Sequence, residues 1–313
     1  MSQDREVSLN KYLVEEEYQG ERLDKYLSLK FPKLSRSYIQ KLVKDHQVSV
    51  DGKNQKVGFK LSSKEEVIIS IPEEIDTEVL PEDLPLDILY EDEDLLIVNK
   101  PKGMVVHPGA GHSSGTLVNA LLYYAQQGSF SLSTINGEIR PGIVHRIDMD
   151  TTGALIVCKK DDIHIDVAKQ LEEHTITRKY RAIVYGTFKE KKGTICGPIG
   201  RHPIDRKKMA INEKNGKPAV THYEVLKDLE GYSYIECQLE TGRTHQIRVH
   251  MTSIQHPLLG DAIYGPKKSP FKLQGQTLHA MEIGFVHPRT KEYIEFQAPL
   301  PEYFKDLIHK LGK

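Results

Sequence analysis

The chain has 313 residues, 38% of them hydrophobic and 28% charged, which is the composition of a globular protein with one large domain or two unequal ones. Its formal net charge of -1 argues against attraction to nucleic acid by the charge of the whole protein, so any basic binding surface must be local. Three cysteines without a CxxC pair argue against a disulfide framework and a zinc ribbon, and the lack of a run of about 18 apolar residues predicts a cytoplasmic protein without a membrane span.

The first seventy residues carry a local excess of positive charge. Between Arg22 and Lys60, ten Lys or Arg residues stand against three Asp, a net charge of about +7. Apolar periodicity predicts helices over residues 22–31 and 36–44, and residues 48–50 alternate like a strand before an Asp-Gly turn. Such lysines could simply keep a small α+β module soluble, but they cluster on the second helix, as a phosphate-contacting patch requires. The residues of this patch are Arg36, Lys41 and Lys44.

The order of these segments resembles the S-four-type RNA-binding domain, a small domain named after a ribosomal protein. The matching segments are Arg-Leu-Asp-Lys-Tyr-Leu (22–27), Leu-Ser-Arg-Ser-Tyr-Ile-Gln-Lys-Leu-Val (34–43) and Val-Ser-Val-Asp-Gly-Lys (48–53). The family often has Gly where this chain has Asp45 and His46. The resemblance implies binding to structured RNA through the second helix and the turn after it. We expect an N-terminal tail over residues 1–14, this domain over 15–72, and an acidic, proline-containing linker over 73–86.

The remaining chain, residues 87–313, consists of many predicted strands with few, separated helices. This pattern predicts an α+β domain with a mainly antiparallel mixed sheet flanked by helices. A glycine-rich loop at 107–115 lacks the G-x-G-x-x-G spacing of a dinucleotide site, and residues 197–218 form a basic segment typical of an exposed hairpin. The predicted strands are 95–100, 105–108, 142–144, 154–157, 179–186, 220–225, 232–239 and 280–285, and the predicted helix is 116–126.

One polar stretch between two predicted strands is the best candidate for chemistry. His-Arg-Ile-Asp-Met-Asp-Thr-Thr-Gly, residues 145–153, places two carboxylates, an Arg, a His and two hydroxyls in a turn between apolar segments. Asp148 and Asp150 could hold a divalent cation through oxygen ligands, but no third carboxylate motif completes such a site. We therefore expect no metal here.

A second polar stretch follows the strand that ends near Thr241. Thr244 is placed to cap a helix on which His245 and Arg248, three residues apart, share a face. With Arg243 just outside, the start of this helix would be a natural anion site. By itself the stretch could equally be a surface helix with ordinary basic residues.

The two stretches together resemble the RluA-type pseudouridine synthases, in particular the large-subunit rRNA branch (RluD-like). The resemblance covers roughly residues 87–300 in the family's order, and an S-four-type domain is the usual partner of this branch. Within residues 145–153, only Ile147 departs from the commoner Leu. The other matching segments are Asp-Leu-Leu-Ile-Val-Asn-Lys-Pro (94–101), Lys-Tyr-Arg-Ala (179–182), Thr-Gly-Arg-Thr-His-Gln-Ile-Arg (241–248), Pro-Leu-Leu-Gly-Asp (257–261) and Leu-His-Ala (278–280).

The resemblance implies an activity and a set of roles. The activity is isomerisation of uridine to pseudouridine in RNA, without a cofactor. Asp148 would be the nucleophile, Arg248 its ion-pair partner, and Tyr180 the residue that stacks on the base and is a candidate to take the proton from carbon 5. The expected substrate is structured RNA, above all large-subunit rRNA, with transfer RNA as an alternative. Residues expected to contact RNA or line the site are His107, His145, Arg146, Arg243, Thr244, His245 and Gln246.

Several alternatives stay open at this point. Asp148 could attack the base, attack the sugar, or assist a glycal route. His145 could carry a proton or orient the loop by a structural hydrogen bond. The protein, which we expect to be a monomer, could instead be a non-catalytic RNA-binding ribosome-assembly factor. It could also be a metal-dependent nuclease that uses Asp148 and Asp150.

Overall fold

The computed structural model describes residues 7–32, 34, 36–72, 79–109, 111–135, 137, 139–205 and 208–312. The chain divides into two compact units, residues 1–77 and 78–313. Within the described ranges, every helix is too short or too polar to cross a lipid bilayer.

The small unit is an antiparallel sheet with two helices. The predicted helix over Arg36–Lys44 and strand over Val48–Val50 are found with those bounds, and the first helix is one residue shorter at each end than predicted. Its elements are β1 (Val7–Leu13), a 3₁₀ turn (Glu16–Tyr18), α1 (Leu23–Lys30), α2 (Arg36–Lys44), β2 (Val48–Val50), β3 (Lys53–Asn54) and β4 (Glu66–Pro72). The strands lie in the order β1-β4-β2-β3.

The prediction of a tail over residues 1–14 is wrong for residues 7–13, which form β1 and pair antiparallel with β4. Tyr12 packs against the core of the small unit, whereas Leu9 and Leu13 are about 60% exposed. Apolar side chains therefore point to both faces of this strand. Apolar residues at 7 and 9 alternate with polar ones, but Lys11 and the adjacent pair Tyr12 and Leu13 interrupt this pattern, so the sequence does not mark a half-buried strand here.

The large unit contains one extended sheet, a two-stranded hairpin and four helices among the described residues. Its elements are β5 (Ile88–Glu91), β6 (Leu95–Lys100), α3 (Leu117–Gln127), β7 (Thr152–Cys158), α4 (Asp161–Glu172), β8 (Thr177–Tyr185), β9 (Lys192–Cys196), β10 (Ile199–Arg201), β11 (Met209–Ile211), β12 (Val220–Leu229), β13 (Tyr232–Leu239), α5 (Gln246–Ser253), β14 (Leu278–Val286), β15 (Tyr293–Gln297) and α6 (Glu302–Leu311).

The extended sheet has nine strands, and its central strands are buried on both faces. The strands follow the order β5-β6-β7-β14-β8-β13-β12-β9, with β15 against β14. Only the β7–β14 pairing is parallel among these, so the predicted mainly antiparallel mixed sheet is confirmed. Along β6, Leu96 and Val98 enter one apolar cluster while Leu95 and Ile97 enter another on the opposite face. Burial on both faces explains why β6 is a continuous apolar run.

Two short predicted strands are absent. Residues 142–144 form a turn in which Gly142 has a φ of +73° and Ile143 makes one isolated bridge to Val157. Residues 105–108 are irregular, although Val106 is buried. A short apolar run signals burial and cannot by itself distinguish a strand from a buried loop.

The predicted linker over residues 73–86 falls partly outside the described residues, which resume at 79. Val79 is buried in the main core of the large unit, and Leu86 packs against the same cluster. The Asn119 side chain donates to the Leu80 carbonyl, and the Glu82 backbone N–H donates to the Asn119 carbonyl. Residues 79–86 are therefore anchored on the large unit.

Candidate active site

The polar stretch 145–153 enters the sheet at the start of β7. Its chain turns tightly, with the Thr151 N–H donating to the Asp148 carbonyl at 3.0 Å. At Gly153 φ is +112°, and a Cβ atom would lie 2.2 Å from the carbonyl oxygen of Ala280 on β14. Glycine is required here because β14 runs parallel to β7 at very close approach. The turn therefore precedes one strand, and Asp148 lies where the sheet ends.

Arg248 lies between two carboxylates. From α5 it donates two hydrogen bonds to Asp261, Nε–Oδ2 at 2.7 Å and Nη2–Oδ1 at 2.9 Å, and one from Nη1 to Oδ2 of Asp148 at 2.9 Å. Its side chain is 5% exposed, that of Asp261 fully buried, and that of Asp148 20% exposed. The two hydrogen bonds to Asp261 fix the plane of the guanidinium group, so that Nη1 points at Asp148.

The charges of Arg248 and Asp261 are held by their mutual contacts. Burial would lower the pKa of Arg248, but the hydrogen bonds to Asp261 and the charges of both carboxylates raise it above its usual value. Burial would likewise raise the pKa of Asp261, yet the Arg248 guanidinium and the backbone N–H groups of Ile263 and Tyr264 lower it. The site therefore contains a permanent cation that neutralises one buried carboxylate and faces the accessible one.

His245 is the second side chain that faces Asp148. Its Nε2 lies 3.9 Å from Asp148 Oδ1, on the oxygen that Arg248 leaves free. His245 has a left-handed backbone with φ of +57° and precedes α5, which begins at Gln246. The prediction that Thr244 caps this helix is wrong, because the Gln246 side chain closes the loop instead by accepting from the Arg243 N–H.

A cavity of about 550 Å³ opens beside Asp148, on the side of Tyr180. Tyr180 lies on β8, and burial raises the pKa of its hydroxyl, so it is a neutral phenol. Arg178, also on β8, donates to the Glu240 carbonyl, while its Nε has no hydrogen-bond partner among the described residues. Apolar walls come from Ile247 and Leu278. The cavity combines an aromatic ring, four arginines (Arg146, Arg178, Arg243 and Arg248) and the carboxylate of Asp148, which suits a planar polar base.

A second cavity, of about 540 Å³, lies on the other side of Asp148. His107 lines it and is 7% exposed, with its Nδ1 lacking a hydrogen-bond partner among the described residues. Burial, with Arg140 and Arg146 nearby, lowers the pKa of His107 to about 4. Five residues line both cavities, which makes them two lobes of one cleft with the nucleophile candidate between them. These residues are Arg146, Ile147, Asp148, His245 and Arg248.

His145 belongs to the scaffold of the site. Its Nε2 accepts the backbone N–H of Ile156 on β7 at 2.9 Å. Burial, together with the charge of Arg178, lowers the pKa of His145 to about 3. The ring is therefore neutral and ties the loop before Asp148 to the strand after it, which is the contact that an orienting role requires.

Lys100 also supports the loop, although its sequence context gave no sign of this. Its side chain is fully buried and donates to the carbonyls of Pro101, Met104 and Met149 at 2.8–2.9 Å. Three acceptors match the three N–H donors of an ammonium group. Burial lowers the pKa of Lys100 to about 7, while Asp150 and Asp148 act in the opposite direction. Since Met149 adjoins Asp148, Lys100 fixes the backbone that carries the carboxylate.

The other residues predicted to contact RNA differ in whether their side chains are free to do so. Gln246 is buried, and its amide is used within the protein by Thr241, Arg243, Val220 and Thr221. Arg146 and Arg243 line the cleft, whereas Thr244 is exposed outside its lining.

In the small unit, Lys41 and Lys44 are exposed on α2, whereas Arg36 is partly used in an ion pair. Arg36 donates to the buried Asp24 of α1 at 2.9 Å, as do Arg22 and Gln40. Burial opposes ionisation of Asp24, but these bonds lower its pKa to about 2. Arg36 therefore joins the two helices, and the two lysines are the freely presented charges.

One group of potential metal ligands occurs among the described residues, namely Asp92, Asp94 and His287. Asp94 already pairs with Lys160 and Arg289, and His287 hydrogen-bonds Asp92 at 3.0 Å. Two cations at this cluster compete with a metal ion.

Comparison with known proteins gives matches to both units of the chain. A family model described as RNA pseudouridylate synthase matches residues 94–253, and one for the S4 domain matches 21–67. A Bacillus subtilis protein named "Uncharacterized RNA pseudouridine synthase YlyB" is 50% identical over 298 residues, which cover 95% of this chain and 96% of that protein. The ribosomal large subunit pseudouridine synthase D of Zymomonas mobilis is 45% identical over 307 residues, 95% of each chain.

The solved structure of Human RNA Pseudouridylate Synthase Domain Containing 4 aligns with a TM-score of 0.56 at 25% identity, over 72% of this chain and 92% of that one. The identities and coverage of the two bacterial relatives leave no doubt about the relationship. The chain belongs to the RNA pseudouridine synthase family, the isomerases that convert uridine in RNA to pseudouridine.

Proposed function

We propose that this protein isomerises uridines of large-subunit rRNA with Asp148 as the nucleophile, Arg248 as its ion-pair partner and Tyr180 as the residue that stacks on the target base. The observation that carries this proposal is the 2.9 Å contact from Arg248 to Asp148, inside a cleft that Tyr180 also lines. An ionised carboxylate beside a fixed cation is a competent nucleophile at neutral pH.

The reaction needs the groups that the cleft presents and no others. The bond from N1 of uracil to C1′ of ribose breaks, the ring turns, and a C5–C1′ bond forms. The proton on C5 is lost and N1 gains one, so atoms balance without a co-reactant. Asp148 can serve by attacking the base, attacking the sugar or assisting a glycal route, since each route requires an ionised carboxylate at this place.

The lobe beside Tyr180 is the proposed place of the target uracil. A base must leave its stack to reach Asp148, which costs a few kcal/mol. Stacking on the Tyr180 ring offsets part of this cost. Phosphate contacts from Arg146 and Arg243, which line the same lobe, offset more.

The proposed substrate class rests on the relatives and on the small unit. Relatives of 40–45% identity are named ribosomal large subunit pseudouridine synthase D, and we propose the same RNA class for this chain. We propose that residues 7–72 act as an RNA-capturing unit through the exposed Lys41 and Lys44. We propose a monomer as the working form, and rRNA as substrate supports a cytoplasmic location.

An assay run both with and without EDTA separates this function from its alternatives. Purified protein is incubated with an unmodified large-subunit rRNA transcript, and the nucleosides are analysed by mass spectrometry. We expect pseudouridine to form while the RNA stays intact. A non-catalytic assembly factor would bind the transcript and form no pseudouridine. A metal-dependent nuclease would cleave the transcript, but only in the reaction without EDTA.

Mapping in cells identifies the substrate. Carbodiimide-induced reverse-transcription stops are compared between ribosomal and transfer RNA from wild-type and deletion strains. The proposal expects stops in large-subunit rRNA that disappear on deletion and return with the wild-type gene. Loss of stops confined to transfer RNA would overturn the rRNA assignment while leaving the enzyme class intact.

A further inference from the structure

Tyr264 connects the basic hairpin to the nucleophile candidate. The backbone N–H of Met209, on β11 of the hairpin, donates to the Tyr264 hydroxyl oxygen at 2.8 Å. The same hydroxyl lies 2.8 Å from Nδ1 of His245, and the other ring nitrogen of His245 faces Asp148 Oδ1 at 3.9 Å. Tyr264 is thus one hydrogen bond from His245 and has no direct bond to Asp148.

The positions of the protons follow from these partners. The Tyr264 oxygen already accepts a hydrogen bond from the Met209 N–H, and among the described residues the acceptor within reach of its own O–H is His245 Nδ1. A hydroxyl carries one donor and a neutral imidazole has one acceptor nitrogen. If Tyr264 donates to Nδ1, the ring proton of His245 must be on Nε2.

The environment of Nε2, on the opposite side of the His245 ring, favours the same tautomer. A bare Nε2 would direct its lone pair toward the Asp148 carboxylate, so two acceptors would face each other, whereas an Nε2–H faces it favourably. Asp148 and Asp261 favour a charged ring, but burial comes first in lowering the pKa of His245, and Arg248 and Arg146 lower it further. The ring is therefore neutral.

We propose that Tyr264 is a positioning residue that holds His245 as the neutral Nε2–H tautomer, with that N–H directed at the reacting oxygen of Asp148. Arg248 occupies Oδ2, which leaves Oδ1 for the reaction. A neutral donor beside Oδ1 orients the carboxylate without forming a second ion pair that would weaken it as a nucleophile. The proposal rests on the proposed nucleophilic role of Asp148.

The tautomer can be observed directly, whatever the role of Asp148. Nitrogen-15 spectra of the full-length protein, with ring nitrogens labelled and the His245 signals assigned from a His245→Gln variant, report which nitrogen carries the proton. We expect a protonated Nε2 and a bare Nδ1 at neutral pH. In Tyr264→Phe the two forms should mix. A protonated Nδ1 in the wild type, or a doubly protonated ring, overturns the proposal even if Asp148 is the nucleophile.

Kinetics test the consequence. Tyr264→Phe should lower the single-turnover rate about 10- to 100-fold with unchanged RNA affinity, and the lost hydrogen bond from Met209 should lower the melting temperature only slightly. Tyr185→Phe is the matched control, because the Tyr185 hydroxyl is buried without a hydrogen-bond partner in the described part of the chain, and it should keep the wild-type rate. If Tyr264 acts through His245, adding Tyr264→Phe to His245→Gln should cause no further loss. Additive losses, or a wild-type rate in Tyr264→Phe, overturn the proposal.

Discussion

Arg248 donates a hydrogen bond of 2.9 Å from Nη1 to Oδ2 of Asp148, across 100 positions of sequence. The same guanidinium makes both of its bidentate bonds to the fully buried Asp261. One cation therefore pairs with a buried structural carboxylate and with the proposed nucleophile at the same time. Substitutions of Arg248 should affect stability and chemistry together.

Replacing Arg248 by Lys should separate charge from geometry. Lysine keeps the positive charge but cannot span both carboxylates, since an ammonium group lacks the planar fork of a guanidinium. We expect the single-turnover rate to fall on the order of 100-fold and urea unfolding to show a loss of about 2–4 kcal/mol, because Asp261 loses a buried partner. The control is Arg289→Lys, because Arg289 is half exposed and its partner Asp94 also pairs with Lys160, so both quantities should change little. A wild-type rate in Arg248→Lys would contradict the role given to its geometry.

His145 should make the folded state sensitive to mild acid. Its pKa in the folded protein is about 3, below the ordinary 6.5, because it is buried. Between these values the unfolded chain binds a proton that the folded chain does not, so stability falls as pH drops from 6.5 toward 3. The contribution is at most about 1.4 kcal/mol per pH unit.

The variant that tests this is His145→Gln, whose side-chain oxygen can still accept the Ile156 N–H. Urea unfolding at several pH values should give a shallower loss of stability with acid than in wild type. His309→Gln, at an exposed position of α6, serves as the control and should follow the wild-type curve. Identical curves for all three proteins would show that His145 titrates normally.

Gly153→Ala should destabilise the fold even though it adds only one methyl group. The added Cβ would lie 2.2 Å from the Ala280 carbonyl oxygen, at a φ of +112°, so steric overlap and backbone strain combine to about 3 kcal/mol or more. Gly231→Ala is the matched control, because Gly231 also has a positive φ, +74°, but open space around it. It should cost about 1 kcal/mol. Equal melting temperatures for the two variants would contradict the close approach of β7 and β14.

Lys41→Ala combined with Lys44→Ala should weaken capture of RNA without changing the chemistry. Each lysine that contacts a phosphate adds roughly 1 to the magnitude of the salt slope of binding. Filter binding at several salt concentrations should therefore show a slope smaller by about 2. The single-turnover rate at saturating protein should stay at the wild-type value. Lys25→Ala, which removes an ion-paired lysine of α1, should leave the slope unchanged, and an unchanged slope in the double variant would contradict the proposed patch.

The local sequence pattern predicted those helices and strands that are buried on one face or have clear boundaries. The 3.6-residue periodicity of α2 and the alternation of β13 gave the observed bounds, Arg36–Lys44 and Tyr232–Leu239. It failed for β1, where Leu13 faces solvent, and for residues 142–144, which are a buried turn. In both cases the apolar residues are placed by tertiary packing and not by a local period.

The residues of the candidate site also fall into two groups: those that the sequence pattern marks and those whose roles only tertiary contacts reveal. The stretch 145–153 stands out in the sequence because its polar residues interrupt apolar segments, but its pairing with Arg248 was expected only from family resemblance. Lys100, Asp261 and Tyr264 support the loop, the guanidinium and His245, and each owes its role to partners distant in sequence. Their residue types alone carry no such signal. Thr244 is an example of the opposite kind. Its residue type predicts a helix cap, but the structure places the cap one position later, at His245.

The most direct measurement compares the two carboxylates of the stretch 145–153. Release of tritium from carbon 5 of labelled uridines in unmodified large-subunit rRNA is followed in single turnover for wild type, Asp148→Asn and Asp150→Asn. We predict no detectable release by Asp148→Asn, although it still binds the RNA and melts like wild type, and release near the wild-type rate by Asp150→Asn. Release by Asp148→Asn at the wild-type rate would contradict the central claim that Asp148 is the nucleophile.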